Sequence, residues 1–335
     1  MNYIITERDV GLASLFFQII NALNRCEIHK MTPIVYLKNQ CVYYTDDGFN
    51  DRTNIWEYYF KPIIDTLSED AIPQDIKDKI KNIYNTIDVK KLNNSVKEIL
   101  TDEYVMSCHY GNHRKLRDSL IVPPHLIPEV YDDGHRQNAF NIIDKYFKLR
   151  TVVQNKIDNF YETNMSDNVV LGVHVRGTDA LVNRAEKWRK AFDIQNYIKC
   201  INIFLDRYPS GKALLASDDM KLFNIIKAEY SESIISYNAI RQDEQDKGTS
   251  GDNTQGSAMM PTYLCSDGHI AAQNGEDAIV EMYLLSKCNY LLHNASGFAH
   301  FSLLINPDLG HVDSQRPGGT RTLDNMRSLV DSNHE

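Results

Sequence analysis

The chain lacks a surplus of positive charge, a cysteine framework and any apolar stretch long enough to cross a bilayer. Its 36 lysines and arginines face 45 aspartates and glutamates, a formal net charge of −9. Dedicated nucleic-acid binders carry a basic footprint, so that class loses support, while a local basic pocket for phosphate stays open. Cys26, Cys41, Cys108, Cys200, Cys265 and Cys288 have no framework spacing and sit mostly among apolar residues. Neither Cys108-His109-Tyr110-Gly111-Asn112-His113 nor Cys265-Ser266-Asp267-Gly268-His269 has the paired spacing of a zinc site, so no metal is expected. The opening residues Met1–Asp9 show no basic stretch followed by an apolar run and a cleavage site. The expectation is therefore a soluble, cytoplasmic protein with reduced thiols, in which the sequons at Asn93, Asn164 and Asn294 carry little weight. No uninterrupted apolar run approaches the roughly 18 residues of a spanning helix. The glycine-rich signatures of P-loop NTPases and of common dehydrogenases are also missing.

What is present is ordinary globular material: 335 residues, 42% hydrophobic and 24% charged. That length corresponds to about two domains and buries a sizeable core without disulfide staples. Gly11–Leu23 reads as a nearly all-round apolar helix, followed by a β-rich run at Pro33–Leu37. Helical stretches follow around 54–66 and 73–87, and an amphipathic pattern over 136–163 predicts one long helix or two.

After Asn168 the pattern changes. Val169–Val175 is an apolar run of the kind buried in parallel sheets. Helices near 193–207, 220–229 and 276–287 then alternate with strands near 212–216, 233–235, 289–292 and 310–312. A further helix opens near Ser296, and residues 240–275 read as one long loop. This is the alternation of a doubly wound sheet, whose ligands bind outside the strands' carboxyl ends. The expected division is an N-terminal α/β domain over 1–164, a second over 165–320 and a C-terminal helix or tail over 321–335.

Three predicted strands of the second half end in polar residues. The first is His174-Val175-Arg176-Gly177-Thr178-Asp179, where a guanidinium can hold a phosphate through forked, charge-assisted hydrogen bonds. Gly177 would let backbone approach a ligand, and Asp179 could orient the arginine. The second is Ala216-Ser217-Asp218-Asp219, and the third is Asn294-Ala295-Ser296-Gly297, where a hydroxyl and helix-start amides make an anion site. Blander readings stand beside these: Arg176 with Asp179 as a structural ion pair, and Asp218 with Ser217 as a helix cap. Trp56-Glu57-Tyr58-Tyr59-Phe60 reads as core before sugar platform.

At these residues the chain resembles the GDP-fucose-dependent fucosyltransferase superfamily. His174–Asp179 is similar to the His-x-Arg-Arg-Thr-Asp motif of α-1,6-fucosyltransferases and bacterial nodulation fucosyltransferases. Related short motifs occur in α-1,2- and protein O-fucosyltransferases. Ala216–Asp219 resembles the second motif. Glu281–Tyr290 leading to Ser296 resembles the third, an acidic residue on a helix before a strand and a serine-containing turn. Gly11…Gln18…Asn21-Ala22-Leu23 resembles, more loosely, the glycine-started first helix.

The resemblance implies an α/β fold of GT-B type, two Rossmann-like domains facing a cleft, with the first domain on the acceptor side. It implies an inverting enzyme that needs no metal and no cofactor beyond its donor substrate, GDP-fucose, and that acts on a glycan or glycoconjugate hydroxyl. Arg176 would stabilise the departing diphosphate, and His174 would shape the donor pocket with Gly177. Asp218 and Asp219 would hold the nucleoside or a loop, Glu281 would support the site, and Ser296 with Gly297 would bind a phosphate. Gly11, which would start the first helix, is counted with the donor-binding residues.

Departures leave alternatives open. The motif's second arginine is Gly177, the lysine after its aspartate is Ala180, and a glutamate proposed as base aligns with Arg184. Glu186 is the candidate base, with Asp179 second, because displacement at the sugar needs a proton acceptor. Glu186 also lies in the charge-rich run Arg184–Lys190, which reads first as a solvated face. A non-catalytic nucleotide-sugar or glycan-binding homologue, or a GT-B transferase with a different donor, are the alternatives.

Overall fold

Two short apolar runs at the amino end of the chain, Tyr3-Ile4-Ile5 and Ile34-Val35, organise the first of two sheets. The structure, a computed structural model, describes residues 1–6, 11–38, 41–63, 72–86, 97–99, 101–107, 120–122, 133–177, 193–241, 267–294, 296–315 and 322–332. Contacts divide it into two compact units, Met1–Thr151 with Asp267–Gln273, and Val152–Ser266 with Asn274–Glu335.

In the first unit, β1 (Asn2–Thr6), β2 (Thr32–Tyr36), β3 (Lys97–Ile99) and β4 (Tyr104–Ser107) form a sheet of order β2-β1-β4-β3. β1 is parallel to both neighbours, and only β3 runs antiparallel. β2 is an edge strand, which is why Pro33 is tolerated there. Helix α1 (Leu12–His29) has every residue from Leu15 to Leu23 buried, as its all-round apolar pattern requires. It continues beyond the expected end at Leu23 and stops where Lys30 turns left-handed (φ 51°), donating its N–H to the Cys26 and Glu27 carbonyls. Asn21 reaches from it to residues 121–122, accepting both of their N–H groups and donating to the Val122 carbonyl.

The expected helix around 54–66 is one short turn, α2 (Ile55–Tyr59), capped by Asn54. Trp56 is 2% exposed and stacks on Phe60 at 4.5 Å, with Phe16 and Phe147 edge-on, so this aromatic run is core. α3 (Gln74–Thr86) lays Ile76 and Ile80 against Ile4, Ile34 and Met106. The 136–163 pattern resolves into two helices, α4 (Asp133–Tyr146) and α5 (Thr151–Asn164). The break is fixed by a bridge between Phe60 and Leu149 and by Lys61 donating to the Lys148 carbonyl at 2.7 Å.

The second unit alternates β5 (Val170–Val175), α6 (Ile194–Arg207), β6 (Lys212–Ser217), α7 (Met220–Glu229), β7 (Ile234–Ile235) and, from Asn274 on, α8 (Gly268–Ser286). β8 (Tyr290–His293), α9 (Gly297–Ile305), β9 (Gly310–Asp313) and α10 (Thr322–Asp331) complete it. All its strands are parallel, in the order β7-β6-β5-β8-β9. β5 is buried along its whole length, the signature of a central strand covered on both faces. The loop expected over 240–275 is shorter than the sequence implies. Asp267 accepts the N–H groups of His269 and Ile270, and α8 starts at Gly268. Residues 242–266 lie outside the described residues.

Cys26, Cys41, Cys200 and Cys288 are buried and unbridged. Burial pushes the Cys26 and Cys200 thiols up to about 12. Cys108 and Cys265 lie outside the described residues. No described helix is long and apolar enough to cross a membrane.

Candidate functional site

Counted within the second unit, the strand order is 3-2-1-4-5, with its reversal between β5 and β8. In an open parallel sheet the crevice beyond the carboxyl ends of that pair is where ligands bind. His174 and Arg176 leave β5 there, and Asn294 and Ser296 leave β8 beside them.

Three side chains fix the backbone as it exits. Asn294, fully buried, accepts the Arg176 N–H at 2.8 Å and donates to the Arg176 carbonyl at 2.9 Å. Asp218 Oδ1 accepts the Gly177 N–H at 2.8 Å. Ser217 donates to the Val175 carbonyl at 2.8 Å and accepts the Asp219 N–H at 3.1 Å. Capping falls to Asp219 rather than Asp218: its Oδ1 accepts the N–H groups of Lys221 and Leu222 at the start of α7.

Gly177 is demanded by this packing. A Cβ there would lie 2.4 Å from Asp219 Cβ and 2.7 Å from Leu222 Cδ1. The second arginine of the related motif therefore has no room at this position unless α7 shifts.

His174 is buried, and its ring stacks flat on Phe298 at 4.7 Å. Burial, with the charges of Arg176 and His293 adding, lowers its pKa to about 3, so the ring is neutral. Its Nε2 pairs with Ser296 Oγ at 3.0 Å, and Ser296 also caps α9 by accepting the Phe298 N–H. The Tyr197 hydroxyl donates to the His174 carbonyl at 3.3 Å. A half-buried arginine thus stands beside a capped helix start whose first turn opens at Gly297. Such a pairing of cation and backbone amides can hold an anion such as a diphosphate.

Glu281, on α8, is 6% exposed and accepts from Arg241 Nη2 at 2.7 Å. Burial pushes its carboxyl up to about 8, with Asp277 and Asp218 reinforcing and Arg241 opposing the shift. Arg241 also donates to the Ala239 and Tyr237 carbonyls and lies 4.2 Å above the Phe223 ring. This network ties α8 to the segment after β7.

Of the residues singled out in the sequence, His174, Arg176, Gly177, Asp218, Asp219, Ser296 and Gly297 gather at the ends of β5, β6 and β8. Glu281 stands within electrostatic reach of Asp218. Gly11 belongs to the first unit, where it caps α1 with nothing within 4 Å of the position a Cβ would take. Asp179 and Glu186 lie outside the described residues. Sequence reading gave no role to Asn294, Phe298 or Arg241. Asn294 sits inside a quoted motif, but no periodicity reveals what an asparagine grips. Arg241 carries no local signal at all.

No protein-family model and no curated protein matches the chain. Solved structures do. The chain is similar to the NodZ α-1,6-fucosyltransferase soaked with GDP-fucose, at a TM-score of 0.52 and 14% identity, covering 90% of this chain and 92% of that one. It is similar to the fucosyltransferase NodZ from Bradyrhizobium, at 0.51 and 14%, over 94% and 96% of the two chains. A mutant of Arabidopsis thaliana FUT1 in complex with GDP matches at 0.51 and 14%, over 94% of this chain and 71% of that one. At such identities the likeness is one of fold, and that fold is α/β of GT-B type, as the motifs led one to expect.

Proposed function

We propose that the chain is a glycosyltransferase that moves fucose from GDP-fucose to a hydroxyl of a glycan or glycoconjugate, with inversion and without a metal ion. The observation that carries this reading is the placement of Arg176 and Ser296 together at the switch point between β5 and β8. The fold likeness to a NodZ structure soaked with GDP-fucose, and to FUT1 bound to GDP, supports it.

In the proposed reaction the acceptor oxygen bonds to the sugar's anomeric carbon as the bond from that carbon to the β-phosphate oxygen breaks. GDP leaves with the electron pair, and the acceptor's proton passes to a carboxylate, Glu186 first and Asp179 second. Arg176 stabilises the charge growing on the diphosphate. Ser296, Gly297 and the amino end of α9 bind a phosphate, neutral His174 shapes the pocket, and Asp218, Asp219 and Glu281 hold the framework. The first unit is assigned to the acceptor side, and Gly11, at the start of its first helix, to donor binding. Buried, unbridged thiols suit a reducing, cytoplasmic setting.

Purified protein incubated with GDP-fucose and an acceptor panel tests the reading through release of GDP and fucosylated product. Arg176→Ala should lose about a hundredfold or more in turnover, roughly 3 kcal/mol of transition-state stabilisation. Near-wild-type turnover in that variant removes Arg176 from the chemistry. Thermal-shift comparison with GDP-mannose and UDP-sugars tests the donor, and indifference to GDP sinks the fucosyl assignment.

A second reading, a non-catalytic nucleotide-sugar binder, is favoured by Gly177, whose packing leaves a single guanidinium where the related motif has two. GDP binding with no turnover across the acceptor panel would establish it.

A further inference from the structure

We infer that His293 and His311 are positioning residues for Arg176: their paired rings hold the Asn294 carbonyl, and through Asn294 the backbone that carries the guanidinium. The inference rests on the reading of Arg176 as the group that faces the diphosphate.

The contacts form a directed chain. His293 Nδ1 lies 3.1 Å from the Asn294 carbonyl oxygen, and its Nε2 lies 3.0 Å from His311 Nδ1. A carbonyl oxygen only accepts, so Nδ1 of His293 carries the hydrogen. His293 is fully buried, which favours the neutral ring, and its Nε2 is then an acceptor. His311 Nδ1 must donate to it. The polarity runs from His311 on β9 through His293 to Asn294, whose side chain grips the Arg176 backbone on both sides. Both rings are thereby held as the Nδ1–H tautomer. His300, from α9, packs edge-on against the His293 ring at 5.8 Å and helps to fix its plane.

Sheet cohesion alone does not account for this arrangement. The rest of β8, Tyr290-Leu291-Leu292, is buried, and an apolar side chain at 293 would pack against β9 with no polar ring to satisfy. Backbone pairing already reaches this far, since the Ser314 N–H donates to the His293 carbonyl at 2.8 Å. The imidazoles add a hold on the residue after the strand. A second chain leaves the same end of β9: Ser314 Oγ donates to the Tyr197 hydroxyl at 3.0 Å, and that hydroxyl to the His174 carbonyl at 3.3 Å. Both chains end on the stretch 174–176 that leaves β5.

The test varies His311, which is half-buried on the edge strand β9, in the full chain. His311→Leu removes the donor, and His311→Asn returns an amide N–H to the place of Nδ1. In His311→Leu the Arg176 amide should exchange its hydrogen tenfold faster or more, while the Val173 amide, inside the β5 ladder, keeps its rate. His311→Asn should bring Arg176 back to within threefold of wild type. Turnover of GDP-fucose should follow the same pattern, with kcat falling fivefold or more in His311→Leu, recovering in His311→Asn, and KM staying within twofold. Nitrogen-15 spectra of the wild-type chain should show both rings as Nδ1–H. An unresponsive Arg176 amide, an equal rise at Val173, a His293 ring in the Nε2–H form, or an unchanged kcat in His311→Leu overturns the inference. Absence of fucosyl transfer in the wild type overturns the functional reading instead, and the exchange rates still decide whether the two histidines hold Arg176.

Discussion

Asn294 grips the backbone of Arg176 from both sides, with its carbonyl oxygen on the Arg176 N–H at 2.8 Å and its amide on the Arg176 carbonyl at 2.9 Å. The β5–β8 ladder ends at the pair His174 and His293, two residues before Arg176 and one before Asn294. A side chain therefore continues the ladder's work past its last backbone pair. Arg176 is held to the frame of the sheet although it lies beyond the strand.

Asn294→Ala should destabilise the protein by about 2–3 kcal/mol, the loss of two buried hydrogen bonds plus the exposed need of the groups left behind. If fucosyl transfer is the activity, kcat should fall at least tenfold as the arginine loses its mooring. Asn294→Asp, which keeps only the acceptor, should fall in between. Denaturant titration and steady-state kinetics give both numbers, and an unchanged kcat would separate Asn294 from the site.

Gly177→Ala should cost more than a glycine substitution in open space, because its Cβ would overlap Asp219 at 2.4 Å and disturb the α7 cap. Loss of an N-cap is worth about 0.5–2 kcal/mol by itself. The double variant with Asp219→Gly should recover part of the loss, a non-additivity read from a double-mutant cycle. Strict additivity would mean that the two positions do not meet.

Acid should weaken the fold through His174. Its folded pKa, about 3, lies below the ordinary value of 6.5, so the unfolded chain binds the extra proton between these limits. Stability from this group is complete above pH 6.5 and is lost as the pH falls toward 3, with a slope of up to about 1.4 kcal/mol per pH unit. His174→Gln should flatten this part of a melting-temperature profile, and an unaltered slope would argue against a buried neutral ring.

Glu281 works in the opposite direction. Its carboxyl is raised from 4.5 to about 8, so the stability it contributes is full below pH 4.5 and fades as the pH rises through 8. Glu281→Gln should therefore compare better with wild type at pH 9 than at pH 5. Arg241→Ala removes the donor to the Glu281 carboxyl and should cost about 3–5 kcal/mol above pH 8, where that carboxyl is charged, and less at neutral pH. Equal effects of Glu281→Gln at both pH values would contradict the raised carboxyl.

The strands and turns of the second unit could be read along the chain because each announces itself locally. Val169–Val175 is uniformly apolar, and a polar turn follows directly. β1 announced nothing: its core is only Tyr3-Ile4-Ile5, too short for periodicity to mark, and it is a strand because β2 and β4 flank it. The start of α8 was hidden for a related reason. Residues 268–275 show no helical period, and Asp267 sets the boundary by capping.

Local patterning along the chain thus determined the α/β alternation and put His174, Arg176, Asp218 and Ser296 after apolar runs, since burial in a parallel sheet needs such runs and a turn must follow each. Tertiary structure alone decided which strands are neighbours, and so which turns share a crevice. Asn294 and Arg176 lie 118 residues apart in the chain, and nothing at either position encodes the other. The order β7-β6-β5-β8-β9 brings them within hydrogen-bonding distance. The fit of Gly177 against Asp219 and the pairing of Arg241 with Glu281 have the same origin. They are contacts between segments that meet only when the sheet closes its order, where a few tenths of an ångström decide what side chain is allowed.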